Sequence, residues 1–70
     1  MAPINTLDLH GVKHADAKQL IENFIYDNRE KMPILIITGN SHVMRKIVKE
    51  CAKELGYYVF ENSYSQLTIY

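Results

Sequence analysis

The chain has 70 residues, 47% of them hydrophobic and 23% charged, a globular balance that excludes a disordered, charge-dominated polymer. A chain this short buries only about 60% of the surface its unfolded form exposes, so a second core is excluded and one domain over residues 1–70 is expected. Eight Lys and Arg against eight Asp and Glu exclude a basic arm or a polybasic membrane anchor and confine any anion site to a local cluster.

The single cysteine, Cys51, cannot close an internal disulfide, and a reducing, cytoplasmic setting is the expectation. Near the N-terminus Asp8, His10 and Asp16 occupy positions where a secretory signal needs an apolar run. The longest unbroken aliphatic stretch, residues 34–37, is far below membrane-spanning length, so neither export nor membrane embedding is expected by these routes.

Residues 1–5 read as a short irregular lead. Thr6-Leu7-Asp8-Leu9 then alternates as a half-buried strand until Gly11 breaks it. From Ala15 to about residue 30, Ala17, Leu20, Ile21, Phe24 and Ile25 recur at three- and four-residue spacing, predicting a first helix with one apolar stripe. Pro33 prevents its continuation, and Ile34-Leu35-Ile36-Ile37-Thr38 is apolar on both alternating faces, as a strand with neighbours on both sides requires.

Gly39-Asn40-Ser41 turns the chain into a second helix, whose stripe Met44, Ile47, Val48, Cys51 and Leu55 stops at Gly56. Residues 57–60 are aromatic and β-branched, residues 62–65 are turn-rich, and residues 67–70 alternate again, which predicts two closing strands. The order β-α-β-α-β-β implies an α/β two-layer sandwich. Right-handed crossovers place both helices on one face of a four-stranded mixed sheet and leave the other face open or partly open.

In Leu7-Asp8-Leu9-His10-Gly11 the two-residue period sends the leucines to one face and Asp8 and His10 to the other. A carboxylate beside an imidazole at the carboxyl end of a strand can orient the ring and raise its basicity, which suits general acid or base work. The alternative is that Asp8 caps nearby backbone and His10 is a turn residue.

Thr38-Gly39-Asn40-Ser41-His42 joins a strand to a helix, where free N–H groups and the helix dipole favour an anion. The alternative there is a simple Ser41 N-cap with His42 in the first turn. Both loops lie at the carboxyl edge of parallel strands, where open α/β sheets bind ligands. Arg45, Lys49 and Lys53 follow at i, i+4 and i+8, a flank able to track a phosphate backbone or simply to be solvated.

These residues resemble the Smr (small MutS-related) domain family, whose signatures are a Leu-Asp-Leu-His-Gly segment on the first strand and a Thr-Gly-x-Gly segment after the second. The first is present in full as residues 7–11. The second departs from the pattern, with Ser41 where its second glycine stands, and Asn62-Ser63-Tyr64-Ser65 replaces a glycine-rich loop before the last strand. The order of elements matches over about residues 4–70.

The resemblance implies a fold similar to the C-terminal domain of translation initiation factor 3, nucleic-acid binding, and nicking of DNA or RNA. It makes Asp8 and His10 the catalytic candidates and Thr38 and Gly39 part of the substrate-binding segment; the reading of the loops and the basic flank adds Gly11, Asn40, Ser41, His42, Arg45 and Lys49 on the phosphate-binding side. Whether the chain is an enzyme stays open. So does its cofactor, with a divalent ion, Mg²⁺ or Mn²⁺, as the candidate.

A zinc set drawn from His10, His14, His42 and Cys51 lacks a recognisable ligand spacing, and Cys51 falls in an apolar stripe. No resident metal site is therefore assigned. Tyr57, Tyr58, Tyr64 and Tyr70 crowd the last part of the chain, and either stack bases from the open face or cover the core and sheet edge; adjacent Tyr57 and Tyr58 must point oppositely. The rivals to a nuclease are a non-catalytic nucleic-acid or protein adaptor and a module that pairs an edge strand with a partner.

Overall fold

The computed structural model describes residues 3–70, so Met1 and Ala2 of the expected irregular lead lie outside the described residues. The elements follow the expected order: β1 (Thr6–Asp8), α1 (His14–Asp27), β2 (Ile34–Ile37), α2 (His42–Glu54), β3 (Val59–Ser63) and β4 (Gln66–Ile69). They form an α/β fold with a four-stranded sheet in the order β1-β2-β4-β3. β1 pairs parallel with β2, and β4 pairs antiparallel with both β2 and β3. β4 alone therefore opposes the other strands, as expected, and β2 has a neighbour on each side.

Register divides the sheet into two faces. Leu7, Ile36, Leu67 and Glu61 lie in one row, and Ile34, Ile69 and Val59 in the next. These rows face the helices, and Ile34, Ile36, Leu67 and Ile69 join Ala17, Ile21 and Ile25 of α1 and Met44, Val48, Cys51 and Ala52 of α2 in one buried cluster. The opposite face carries Asp8, Ile37 and Gln66 in one row and Thr6, Leu35, Thr68 and Phe60 in another. No helix covers it.

Several boundaries differ from the sequence reading. α1 starts one residue early, at His14, and stops at Asp27. Asn28, buried at 6% exposure, donates through its side chain to the Phe24 carbonyl while its backbone N–H reaches Phe24 and Ile25, satisfying the last turn so that residues 28–30 leave the helix. Leu20, expected in the apolar stripe, is 40% exposed, as is Leu55 at 43% just beyond α2. Ala52 takes the buried position that Leu55 was expected to fill.

β3 begins at Val59 and continues through Ser63, absorbing residues expected in a turn. A bulge between Glu61 and Ser63 takes up the misfit with β4. The turn contracts to Tyr64 and Ser65. Tyr58 still exchanges both backbone hydrogen bonds with Tyr70, so the ladder extends one pair beyond the strand limits. As expected, Tyr57 and Tyr58 diverge: Tyr57 packs against the core cluster while Tyr58 is exposed.

No helix is long and apolar enough to cross a membrane among the described residues.

Candidate nucleic-acid interface

Because β1, β2 and β3 run the same way, their carboxyl ends share one edge of the sheet. The loop after β1, the loop after β2 and the β3–β4 turn all meet there. The Thr38 backbone N–H donates to the Ser65 carbonyl at 2.8 Å, locking the β2 exit to that turn.

After β1 the chain reverses over Leu9, His10, Gly11 and Val12, with the Val12 N–H donating to the Leu9 carbonyl at 3.0 Å and Gly11 at φ +81°. Asp8 and His10 are exposed while Leu9 is buried, the expected division of faces. The Asp8 carboxylate accepts from the His10 backbone N–H at 2.8 Å. Its bond is therefore to the main chain, where the sequence reading also had it orienting the imidazole. An extended strand end brings a short carboxylate within reach of the amide two residues on, a local closure that competes with the ring.

The His10 ring instead lies over the next loop. Its Cδ2 is 3.5 Å from the point where a β-carbon on Gly39 would stand, and Gly39 has φ +66°. A β-carbon at Gly39 would be strained in backbone, while meeting the imidazole at ordinary van der Waals distance. The structure thus brings His10 of the first motif beside Gly39 of the second.

Ser41 is the N-cap of α2, its Oγ accepting from the Met44 N–H at 3.0 Å. Its Oγ also lies 3.4 Å from His14 Nε2, so the first turn of α1 touches the cap of α2. His14 had been considered only as a zinc ligand. The signal that could have placed it here was topological: both helices follow parallel strands and so start from the same sheet edge.

Thr38 is buried, at 2% exposure, and its Oγ1 donates to the Gly39 carbonyl. It braces the turn from the helix side. Asn40 and His42 are exposed.

His42, Arg45, Lys46, Lys49 and Tyr64 line a groove of about 400 Å³ beside this edge. Arg45 is largely committed within it. Its guanidinium donates to the Ser63 and Tyr64 carbonyls and to the Glu61 carboxylate, and lies 4.8 Å from the Tyr64 ring centroid. Lys49 Nζ reaches the same carboxylate at 2.8 Å. The Lys49 hydrogen bond, with the charges of Lys49 and Arg45, holds the Glu61 carboxyl below its usual range against a smaller opposing effect of desolvation.

Sequence reasoning missed Glu61. Its side shares the helix face with Val59, but that it stands opposite Arg45 and Lys49 depends on the packing of α2 on β3. Lys53 lies farther along α2 and does not line the groove.

A divalent ion requires several convergent oxygen ligands. Among the described residues no group of three or more His, Cys, Asp and Glu side chains is placed to hold a metal ion, so the residues at this edge do not by themselves fit one. Comparison with curated proteins and with solved structures gives no match. The family model described as the Smr domain matches residues 7–63, which include both loops and the basic side chains of the groove, and the chain belongs to that family, whose function is nucleic-acid related.

Proposed function

We propose that the protein binds a nucleic-acid strand across the carboxyl edge of its sheet and nicks it there, with the strand's phosphate seated on the Gly39-Asn40-Ser41 turn at the start of α2. The observation that carries the proposal is the approach of the His10 ring to Gly39, its Cδ2 3.5 Å from where a β-carbon on Gly39 would stand. It sets an exposed acid–base group beside a strand-to-helix turn whose backbone N–H groups and dipole favour an anion.

In this reading water attacks phosphorus, one P–O bond forms and the bond to the leaving oxygen breaks. His10 takes the proton of the attacking water or supplies one to the leaving oxygen. Asp8 acts through the main chain, holding the His10 amide and so the direction of its side chain. Arg45 and Lys49 flank the phosphate path, with Lys46 beside them in the groove.

A second reading, binding without cleavage, is favoured by one observation: the Asp8 carboxylate is bonded to an amide rather than to the imidazole. Labelled single-stranded, duplex and branched DNA and RNA, each with and without Mg²⁺ or Mn²⁺, separate the two. The nicking reading expects cleavage by the wild type and a loss of roughly 10²- to 10⁴-fold in His10→Ala, with binding and melting temperature retained. Full cleavage by folded His10→Ala removes His10 from the chemistry. Binding by the wild type with no cleavage of any substrate establishes the second reading.

A further inference from the structure

The sheet face turned away from the helices carries a row of aromatic rings. Tyr58, Phe60 and Tyr70 are exposed by 72%, 59% and 53%, far beyond the usual burial of large apolar side chains on folding. Tyr58 and Tyr70 are direct cross-strand partners through two backbone hydrogen bonds, and their rings stack at 5.8 Å between centroids and 29° between planes. Phe60 lies two residues along the same face, opposite Thr68. Successive positions on one face of a strand are about 6.6 Å apart.

This aromatic surface is continuous with the candidate interface. From Tyr58 and Tyr70 the face passes through Phe60 and Thr68 to the row that holds Gln66, Ile37 and Asp8, and Asp8 opens the loop bearing His10. The chemistry of the face also narrows its occupant. Between the rings and the edge stand Thr68 and Gln66, and Asp8 is the one charged residue in the paired rows on this face. Flat exposed rings interleaved with polar side chains suit nucleobases, which stack on aromatic faces and present hydrogen-bonding edges.

We infer that the open face is a base-stacking platform, and that the nucleic acid entering the carboxyl edge is single-stranded along the sheet. The inference rests on the proposed nucleic-acid function and specifies its substrate class. Phosphates of the nucleotides at the edge follow the loops and the basic groove on the helix side, while unpaired bases of the nucleotides that continue past the edge lie on Phe60 and the Tyr58–Tyr70 stack on the opposite face. Paired bases are already stacked within a duplex and cannot present their faces to these rings.

The test uses fluorescein-labelled single-stranded DNA and RNA oligonucleotides and the matching duplexes, titrated with the wild type and with Tyr58→Leu, Phe60→Leu, Tyr70→Leu and Tyr70→Phe. Leucine keeps an apolar side chain and removes the π face; these side chains are exposed, and melting curves verify folding. The chain has five tyrosines and no tryptophan, so its intrinsic emission is tyrosine alone, and loss of quenching in Tyr58→Leu and Tyr70→Leu assigns the signal to the stacked pair. We expect single strands to bind in preference to duplex, tyrosine emission to be quenched on binding, and each leucine variant to bind single strands roughly tenfold more weakly or worse. Tyr70→Phe should retain binding.

Leucine variants that bind single strands like the wild type overturn the platform, and if Arg45 or Lys49 variants lose binding at the same time, the proposed function survives without it. Duplex bound as tightly as single strand also overturns it. A wild type that binds no nucleic acid removes the proposed function and this inference together. Self-association abolished by Phe60→Leu, with no effect of that variant on nucleic-acid binding, assigns the face to a second copy of the chain and overturns base stacking.

Discussion

The imidazole of His10 lies against Gly39, with Cδ2 3.5 Å from the position a β-carbon would take. Two loops separated by a complete helix thereby share one surface, and the glycine is required by its φ of +66°, while the ring above it leaves ordinary contact room for a methyl group. Gly39→Ala should therefore destabilise the protein by on the order of 1 kcal/mol from backbone strain. The added methyl meets His10 Cδ2 at ordinary contact distance, which should register as a local change in the His10 ring resonances. A variant with unchanged melting and unchanged His10 signals would contradict this.

Asp8 is bonded to the His10 amide at 2.8 Å, and this predicts a specific pattern of variants. Asp8→Asn keeps a side-chain oxygen able to accept from that amide, so the loop geometry should survive. Asp8→Ala removes the acceptor and should destabilise by about 1 kcal/mol, in the range of a lost backbone-capping hydrogen bond. Chemical denaturation of the two variants checks the order, and equal losses would show that the amide bond contributes nothing.

Glu61 neutralises part of the basic groove through Arg45 and Lys49. Glu61→Gln removes that charge and leaves Lys49 available to phosphate, while Arg45 keeps its bonds to the Ser63 and Tyr64 carbonyls. Nucleic-acid affinity should rise several-fold at low salt, and the dependence of log affinity on log salt should steepen by about 1. Equal affinity and slope in the variant would place the phosphate path away from these residues.

The same carboxylate makes a signed prediction about acid. The hydrogen bond from Lys49, with the nearby charges of Lys49 and Arg45, lowers the Glu61 pKa from its ordinary 4.5. The stabilisation is present above the unfolded value and is lost as pH falls through the folded one. The melting temperature of the wild type should thus exceed that of Glu61→Gln at neutral pH by a small margin, as exposed ion pairs allow. That margin should close below about pH 4.5; a margin that widens in acid would reverse the assignment.

Cys51 is 3% exposed, in the stripe that α2 buries. Burial first, then Glu22 and Glu54, push its thiol above the ordinary value. The native protein should resist alkylation by iodoacetamide at neutral pH, with labelling following the fraction unfolded as denaturant is added. Rapid labelling of the folded protein would refute the packing described for α2.

The sequence was most legible where structure follows local periodicity. Two-residue alternation placed Leu7 and Leu9 apart from Asp8 and His10, and three- and four-residue spacing found both helices, with Gly56 at a positive φ just past the second. The parallel direction of the first two strands puts the loops after β1 and β2 at one edge, and the handedness of their crossovers puts both helices on one face. Leu20 and Leu55 mark the limit of that approach. Each fits an apolar stripe, yet each is substantially exposed, because the width of a stripe that is covered depends on the neighbouring element.

Only the tertiary structure could decide which residues meet across that edge. Glu61 faces Arg45 and Lys49, and His14 touches Ser41, through the docking of elements distant in sequence. The Asp8 carboxylate likewise had two partners within reach, an amide and an imidazole, and the actual bend of the chain selected the amide. The exposure of Phe60 beside the Tyr58–Tyr70 pair follows from the register of β3 on β4, where a slip of one residue would turn these rings toward the helices. Periodicity is written along the chain, whereas partner choice is a property of long-range pairing, in which many local patterns are compatible and packing admits one.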